Sequence, residues 1–179
     1  MAKIELLLPT ILQWEGHFVN DPIDMGGATN MGVTLSTWKQ QGYDKDHDLD
    51  IDVQDLKLLE KKDVLQVLQN NYWNRWKADQ INNQSIAELL VDFVWGSGKW
   101  GIIIPQRAMG LKDDGVVGPV TIAAINSADP KTLFELLYNK RIEFIMDIVK
   151  HNPEQSRFRN GWINRVNYYR DHAQFPVLS

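Results

Sequence analysis

Apolar positions recur along most of this chain at helical rather than strand spacing. Ile4, Leu7, Leu8, Ile11 and Trp14 follow a 3.6-residue period and predict an amphipathic helix over residues 3–14. Leu56, Leu59, Val64, Val67 and Leu68 mark the inner face of a helix across 53–70. Residues 84–94 are apolar on nearly all sides, with Ile86, Leu89, Leu90 and Phe93, so this helix is predicted to be buried. Residues 100–109 read as helical, with Pro105 limiting them to two short pieces or placing the proline near a helix start. Pro119 opens another helix through Asn126. Asp129-Pro130 introduces a long helix over 131–150, with Phe134, Tyr138, Ile142, Ile145 and Val149 as one stripe, and a last helix covers 158–172. Strand candidates are few: short segments within 28–34, and the pair Val116-Val117 after the turn Asp114-Gly115. The pattern predicts a mainly α fold with one small β-hairpin.

The helical pattern breaks most sharply between Trp14 and Thr34. Gly16, Gly26, Gly27 and Gly32 interrupt any regular element there, and the stretch is dense in Asn, Asp and Pro. Such a loop is costly to order, and loops ordered on a rigid scaffold often carry function. Glu15 directly follows the first helix, with Gly16 as a plausible cap. The negative end of the helix macrodipole and the neighbouring Trp14 indole both disfavour a carboxylate charge, as a general acid requires. The competing reading is a solvated glutamate at a helix end. Asp24 comes nine positions later and Thr29 five after that. Asp24 is equally read as a turn-forming side chain, and Asn20, Asn30 and Thr34 are substrate contacts or turn formers. Ser36 or Thr37 caps a short helix up to Gln41.

Residues 44–55 form an acidic run, D-K-D-H-D-L-D-I-D-V-Q-D. Asp44, Asp46, Asp48, Asp52 and Asp55 occupy positions 1, 3, 5, 9 and 12 of a calcium loop of the EF-hand type. Position 6 is Leu49 where a glycine is wanted, and position 12 is Asp55 rather than a longer glutamate. The alternative is an acidic turn in which Asp52 caps the next helix. A cation here would be structural, and catalysis is expected to need no cofactor.

Composition narrows the function classes. The chain has 179 residues, a net charge of −4 and no cysteine, which excludes disulfides, zinc-thiolate sites and a cysteine nucleophile. The basic excess in residues 131–179 is slight, far from the dense stripe of a nucleic-acid binder. No stretch approaches a membrane span and the N-terminus does not read as a signal peptide, so the protein is expected to be made in the cytoplasm. Seven tryptophans, at 14, 38, 73, 76, 95, 100 and 162, suit a sugar-binding cleft or a large core. In N-Y-W-N-R-W-K, Tyr72, Trp73 and Trp76 line a cleft or pack the core, with the core favoured for at least two; Tyr72 and Trp73 are the substrate-contact candidates.

The segment E-G-H-F-V-N-D-P-x-D-x-G-G-x-T-N-x-G-V-T, residues 15–34, resembles the N-terminal signature of glycoside hydrolase family 108. That family comprises N-acetylmuramidases, including phage endolysins and secretion activator proteins. G-S-G near residue 97, D-G-V-V-G-P-V-T at 114–121 and F-R-N-G-W-I-N-R-V at 158–166 resemble its C-terminal region, so the likeness covers nearly the whole chain. It implies a lysozyme-like fold, with a catalytic region over 1–95 and a helical, peptidoglycan-binding region over 96–179, packed as one globular unit. It also implies cleavage of the MurNAc–GlcNAc bond, with Glu15 as general acid. Asp24 would stabilise the oxocarbenium-like centre or activate water, and Thr29 would orient that water. The Glu15, Asp24, Thr29 order is also similar to that of phage-type lysozymes. His17 stands where the family usually has a second glycine, adding a side chain beside the acid that can contact substrate. The implied partners are bacterial peptidoglycan and a holin-like protein that releases the enzyme to the wall. Two rivals remain at this stage: a lytic transglycosylase, and a non-catalytic wall-binding accessory.

Overall fold

A computed structural model describes residues 1–20 and 27–175, and the chain is mainly α-helical with one two-stranded antiparallel sheet. It divides into two compact units, residues 4–71 and residues 1–3 with 72–179.

In the unit of residues 4–71, α1 spans Ile4–Trp14 and buries Ile4, Leu7 and Ile11, the stripe its periodicity predicted. It runs on through Pro9, whose missing N–H costs one turn-to-turn bond. The strands β1 (Thr29–Asn30) and β2 (Val33–Thr34) pair Thr29 with Thr34 and Asn30 with Val33. Met31 and Gly32 both have positive φ, 49° and 79°, which closes the hairpin with a turn of matching twist. Helix α2, Leu35–Gln41, is capped by Thr34, whose hydroxyl accepts the Thr37 N–H at 3.2 Å. The cap therefore falls two residues before Ser36, and Thr37 supplies the donor. The helix expected across 53–70 is interrupted. Its pieces are α3, Val53–Lys57, and α4, Lys61–Leu68. Asp63 draws the Glu60 N–H onto its carboxylate at 2.8 Å, so a new helix start forms where the periodicity alone reads continuity. Asp63 is almost fully buried and pairs with Lys45 at 2.6 Å.

The other unit contains α5 (Asn74–Trp76), α6 (Gln84–Ser97), α7 (Trp100–Ala108), α8 (Pro119–Ser127), α9 (Pro130–His151) and α10 (Ser156–Asp171). Asn83 and Asp129 cap α6 and α9 through their side chains. Helix α7 is one piece despite Pro105. It lies so close to α6 that a Cβ on Gly101 would sit 2.4 Å from the Val94 backbone nitrogen. Val116 and Val117 do not form a strand. Buried Gln106 occupies the partner's place, accepting the Gly115 N–H at 2.9 Å and donating to the Val116 carbonyl at 3.0 Å. Two polar backbone groups are satisfied by one side chain, so no second strand is needed.

Helices α6, α9 and α10 meet around Asp92, which has no exposed surface. Arg141 of α9 donates to its Oδ2 at 2.6 Å, and Arg165 of α10 donates to Oδ1 at 2.7 Å. Burial works against the Asp92 charge, but the two guanidiniums prevail and hold its pKa below the usual carboxylate range. A carboxyl depressed in the folded state stabilises the fold above its unfolded pKa of about 3.9 and loses that contribution as pH falls through the folded value.

Two predictions follow from this packing. Gly101→Ala should cost about 1–3 kcal/mol because backbone atoms must move. Gly161→Ala in α10, where a Cβ meets nothing within 4 Å, should gain up to about 1 kcal/mol in helix propensity. Thermal melts of the two variants should shift in opposite directions. Urea midpoints measured from pH 7 down to 2 should fall below about pH 4, where acidic carboxylates titrate. Asp92→Asn should flatten the part of that fall due to Asp92 while lowering stability at pH 7 by about 3–5 kcal/mol, since it strands the buried Arg141 and the half-buried Arg165. A pH profile identical to wild type would refute the role given to Asp92.

Candidate active site

Glu15 is the first residue past α1, and its N–H still bonds to the Ile11 carbonyl at 3.0 Å. The bond holds the Glu15 backbone at the end of the helix, and the residue is half-buried. His17 and Asn20 are exposed. Between Asn20 and Gly27, Asp24 lies outside the described residues.

The chain returns to this segment through backbone pairing. Val19 and Thr29 exchange two hydrogen bonds, each 2.8 Å, beside the β1–β2 hairpin. Residues 15–20 and the hairpin are therefore one laced piece of backbone, which joins the Glu15 segment to the strand carrying Thr29. Thr29 is half-buried. Asn30 is buried and gives its amide to the Leu56 carbonyl at 2.8 Å, tying the hairpin to α3. Thr34 serves as the α2 cap. Tyr72 and Trp73 belong to the other unit. Tyr72 packs on Trp95 with ring centroids 4.7 Å apart. Trp73 is fully buried and donates its indole N–H to Asp79 at 2.6 Å, and Trp76 is likewise buried, so burial favours the core reading for these two. Trp38 is also core, while Trp100 keeps 43% of its surface exposed.

The acidic run divides its carboxylates into two groups, Asp44 with Asp46 and Asp48, and Asp50 with Asp52 and Asp55. Within each, ligand oxygens lie within 4.8 Å of one another. Asp52 caps α3 by accepting the Gln54 N–H at 2.6 Å. Asp55 is fully buried and accepts N–H groups of Lys45 at 2.5 Å and Asp52 at 2.8 Å. Burial opposes its charge, but these N–H groups prevail and lower its pKa. Asp55 is thus used as a backbone acceptor. Asp44 likewise accepts the His47 N–H at 2.6 Å and the Leu49 N–H at 2.9 Å, and either group of three carboxylates could hold a divalent cation. Asp46 is raised in pKa by desolvation and then by Asp48 and Asp55, and Asp50 by Asp48 first, the mark of crowded like charges. The backbone at Leu49 takes the left-handed turn that a calcium loop places on glycine, with φ 79° and the side chain 95% exposed.

Three residues of evident structural weight were not singled out by the sequence: Asp92 and Arg141 lie in no motif, and Arg165 lies within F-R-N-G-W-I-N-R-V without standing out from it. The available signal was Asp92 itself, an acid set between Leu90-Val91 and Phe93-Val94 on an apolar helix.

Residues 8–98 match the glycosyl hydrolase 108 family model, half the chain. The chain belongs to glycosyl hydrolase family 108. Residues 100–167 match a second model described as a predicted peptidoglycan domain. Glu15, Thr29 and the hairpin all fall within the first match. Among solved structures, the chain is similar to SagA of Brucella abortus, with 28% identity, 94% of this chain and 91% of that one covered, and a TM-score of 0.75. Among curated proteins no match was found. Together these findings support a glycoside hydrolase acting on peptidoglycan. Among the described residues, no helix is long and apolar enough to cross a membrane.

Replacing Leu49 tests the turn of the acidic loop. Leu49→Gly removes a left-handed strain of about 1–2 kcal/mol and exposes no new surface, so it should raise the melting temperature. An unchanged or lowered melt would mean that the turn is not formed in solution.

Proposed function

We propose that this glycoside hydrolase is a lysozyme-type N-acetylmuramidase that uses Glu15 as its general acid. The observation that carries the reading is the backbone of Glu15 anchored at the end of α1, on a segment that Val19 laces to the strand of Thr29. The proton-donating group must be held within reach of the leaving oxygen, and a carboxyl anchored by a helix end meets that need. Trp14 beside it is half-buried and brings an apolar surface to the same place.

In the proposed reaction, Glu15 protonates the glycosidic oxygen as the bond to the muramyl carbon lengthens and positive charge builds on the ring. Asp24 stabilises that charge or takes a proton from the attacking water, and Thr29 orients the water. Water adds at the anomeric carbon, the leaving sugar departs as an alcohol, and the product has a reducing-end muramic acid. The glycines of the loop let the sugar approach the backbone closely. His17, exposed two residues past the acid, contacts substrate in this reading. The protein acts on the wall after release from the compartment in which it is made.

Digestion of purified peptidoglycan, with products identified by mass spectrometry, tests this. Wild type should release fragments with reducing-end muramic acid, and Glu15→Gln should lower the rate by about 10²–10⁴. Anhydromuramic products would make the enzyme a transglycosylase. Binding to the wall without release of any fragment, by wild type and variant alike, would refute catalysis and leave a wall-binding accessory.

A further inference from the structure

We infer that the recess between α6, α9 and α10 binds the free C-terminal carboxylate of a short peptide, the group presented by uncrosslinked peptidoglycan stems. This rests on peptidoglycan being the substrate, and deepens that reading by assigning recognition of the peptide to a site distinct in sequence from the Glu15 loop. The recess is walled by Phe144, Ile145, Ile148 and Trp162, with Arg141 and Arg165 at its polar side. Its volume is about 160 Å³, close to the ~150 Å³ cavity that accommodates benzene. That is room for one small residue and its carboxylate, and too little for a sugar ring with its substituents.

The charges are arranged for an anion. Arg141 has a side chain only 7% exposed. It spends two of a guanidinium's five N–H donors on protein, one on Asp92 at 2.6 Å and one on the Leu89 carbonyl at 3.5 Å, the outer limit of a hydrogen bond. Among the described residues its other donors have no protein acceptor, yet the side chain is buried at the recess. Asp92 also holds Arg165 through Nε and Nη2. A single buried carboxylate thus fixes the rotamers of both arginines, so little side-chain entropy is lost when a ligand arrives. A planar guanidinium matches a carboxylate fork better than an ammonium does. The opposite wall is apolar and suits a methyl side chain, as in a terminal alanine. Trp162 also stacks on Phe158, with centroids 5.7 Å apart and planes inclined by 26°, and Phe158 is 42% exposed. This aromatic pair extends along α10 and offers a surface to the preceding part of the peptide.

The test is calorimetric titration of the full-length protein with diacetyl-lysyl-D-alanyl-D-alanine as the free acid and as its C-terminal amide. The acid should bind at least tenfold more tightly than the amide. Ser97→Glu, which sets a carboxylate at the rim of the recess on a half-buried position, should weaken the acid at least tenfold while melting like wild type. Equal binding of acid and amide, no binding of either, or full binding by a folded Ser97→Glu variant would each overturn the proposal. The acid–amide comparison uses wild type alone, so it decides the matter even where Ser97→Glu fails to fold. A glycosidase does not cleave this probe. Peptide binding without glycan cleavage would sink the hydrolase mechanism and leave this site standing, and cleavage without peptide binding would do the reverse.

Discussion

Asp92 is the constraint around which the larger unit is organised. An ionised carboxylate with no solvent exposure is tolerated only when opposite charges and hydrogen bonds replace its hydration. Here both replacements come from other helices, Arg141 on α9 and Arg165 on α10. The three helices cannot drift apart or slide by a turn without leaving a buried charge uncompensated. Apolar packing alone, with Phe93, Ile145 and Val166 buried nearby, would allow several registers of similar energy; the ion cluster selects one. The same cluster gives the adjoining recess its two oriented guanidiniums, so the interaction that fixes the helices also shapes the proposed ligand site.

Helix periodicity made most of the fold legible. Long elements with one apolar stripe, such as α1 and α9, lie where the 3.6-residue pattern put them. Errors arose where a side chain, rather than hydrophobicity, decided the backbone. Asp63 capped a new helix start inside an apolar period. Gln106 replaced a strand partner for residues 115–116. Thr34, not Ser36, received the α2 N–H because the hairpin ended one residue before the helix began. Each is the work of one polar side chain on backbone groups at most ten residues away, and periodicity carries no information about it.

The candidate site was legible in a different way. Glu15 and the glycine-rich loop stood out because they broke the pattern, and they fall within the residues that match the family model. Burial then separated side chains that composition had treated alike. Tyr72 remains partly accessible on Trp95, whereas Trp73 and Trp76 are core. The acidic run likewise split, with Asp52 and Asp55 drawn into capping α3, Asp44 holding the turn through the His47 and Leu49 N–H groups, and Asp46 and Asp48 exposed. Counting aromatic or acidic residues cannot make these distinctions, because they depend on which backbone groups need an acceptor nearby.

The boundary between the two family matches lies between residues 98 and 100, in the tight turn from α6 to α7. Packing does not respect it. Gly101 brings α7 into contact with the backbone of Phe93 and Val94, and Asp92 of α6 takes its counter-charges from beyond residue 140. Helix α6 is therefore counted with the hydrolase by sequence and folds with the peptidoglycan-domain helices by physics. A chain cut at residue 98 would carry Asp92 without either arginine and expose the apolar faces of Leu89, Leu90 and Phe93. The hydrolase match is in this sense incomplete as a folding unit, and the C-terminal helices supply the charges that let α6 be buried at all.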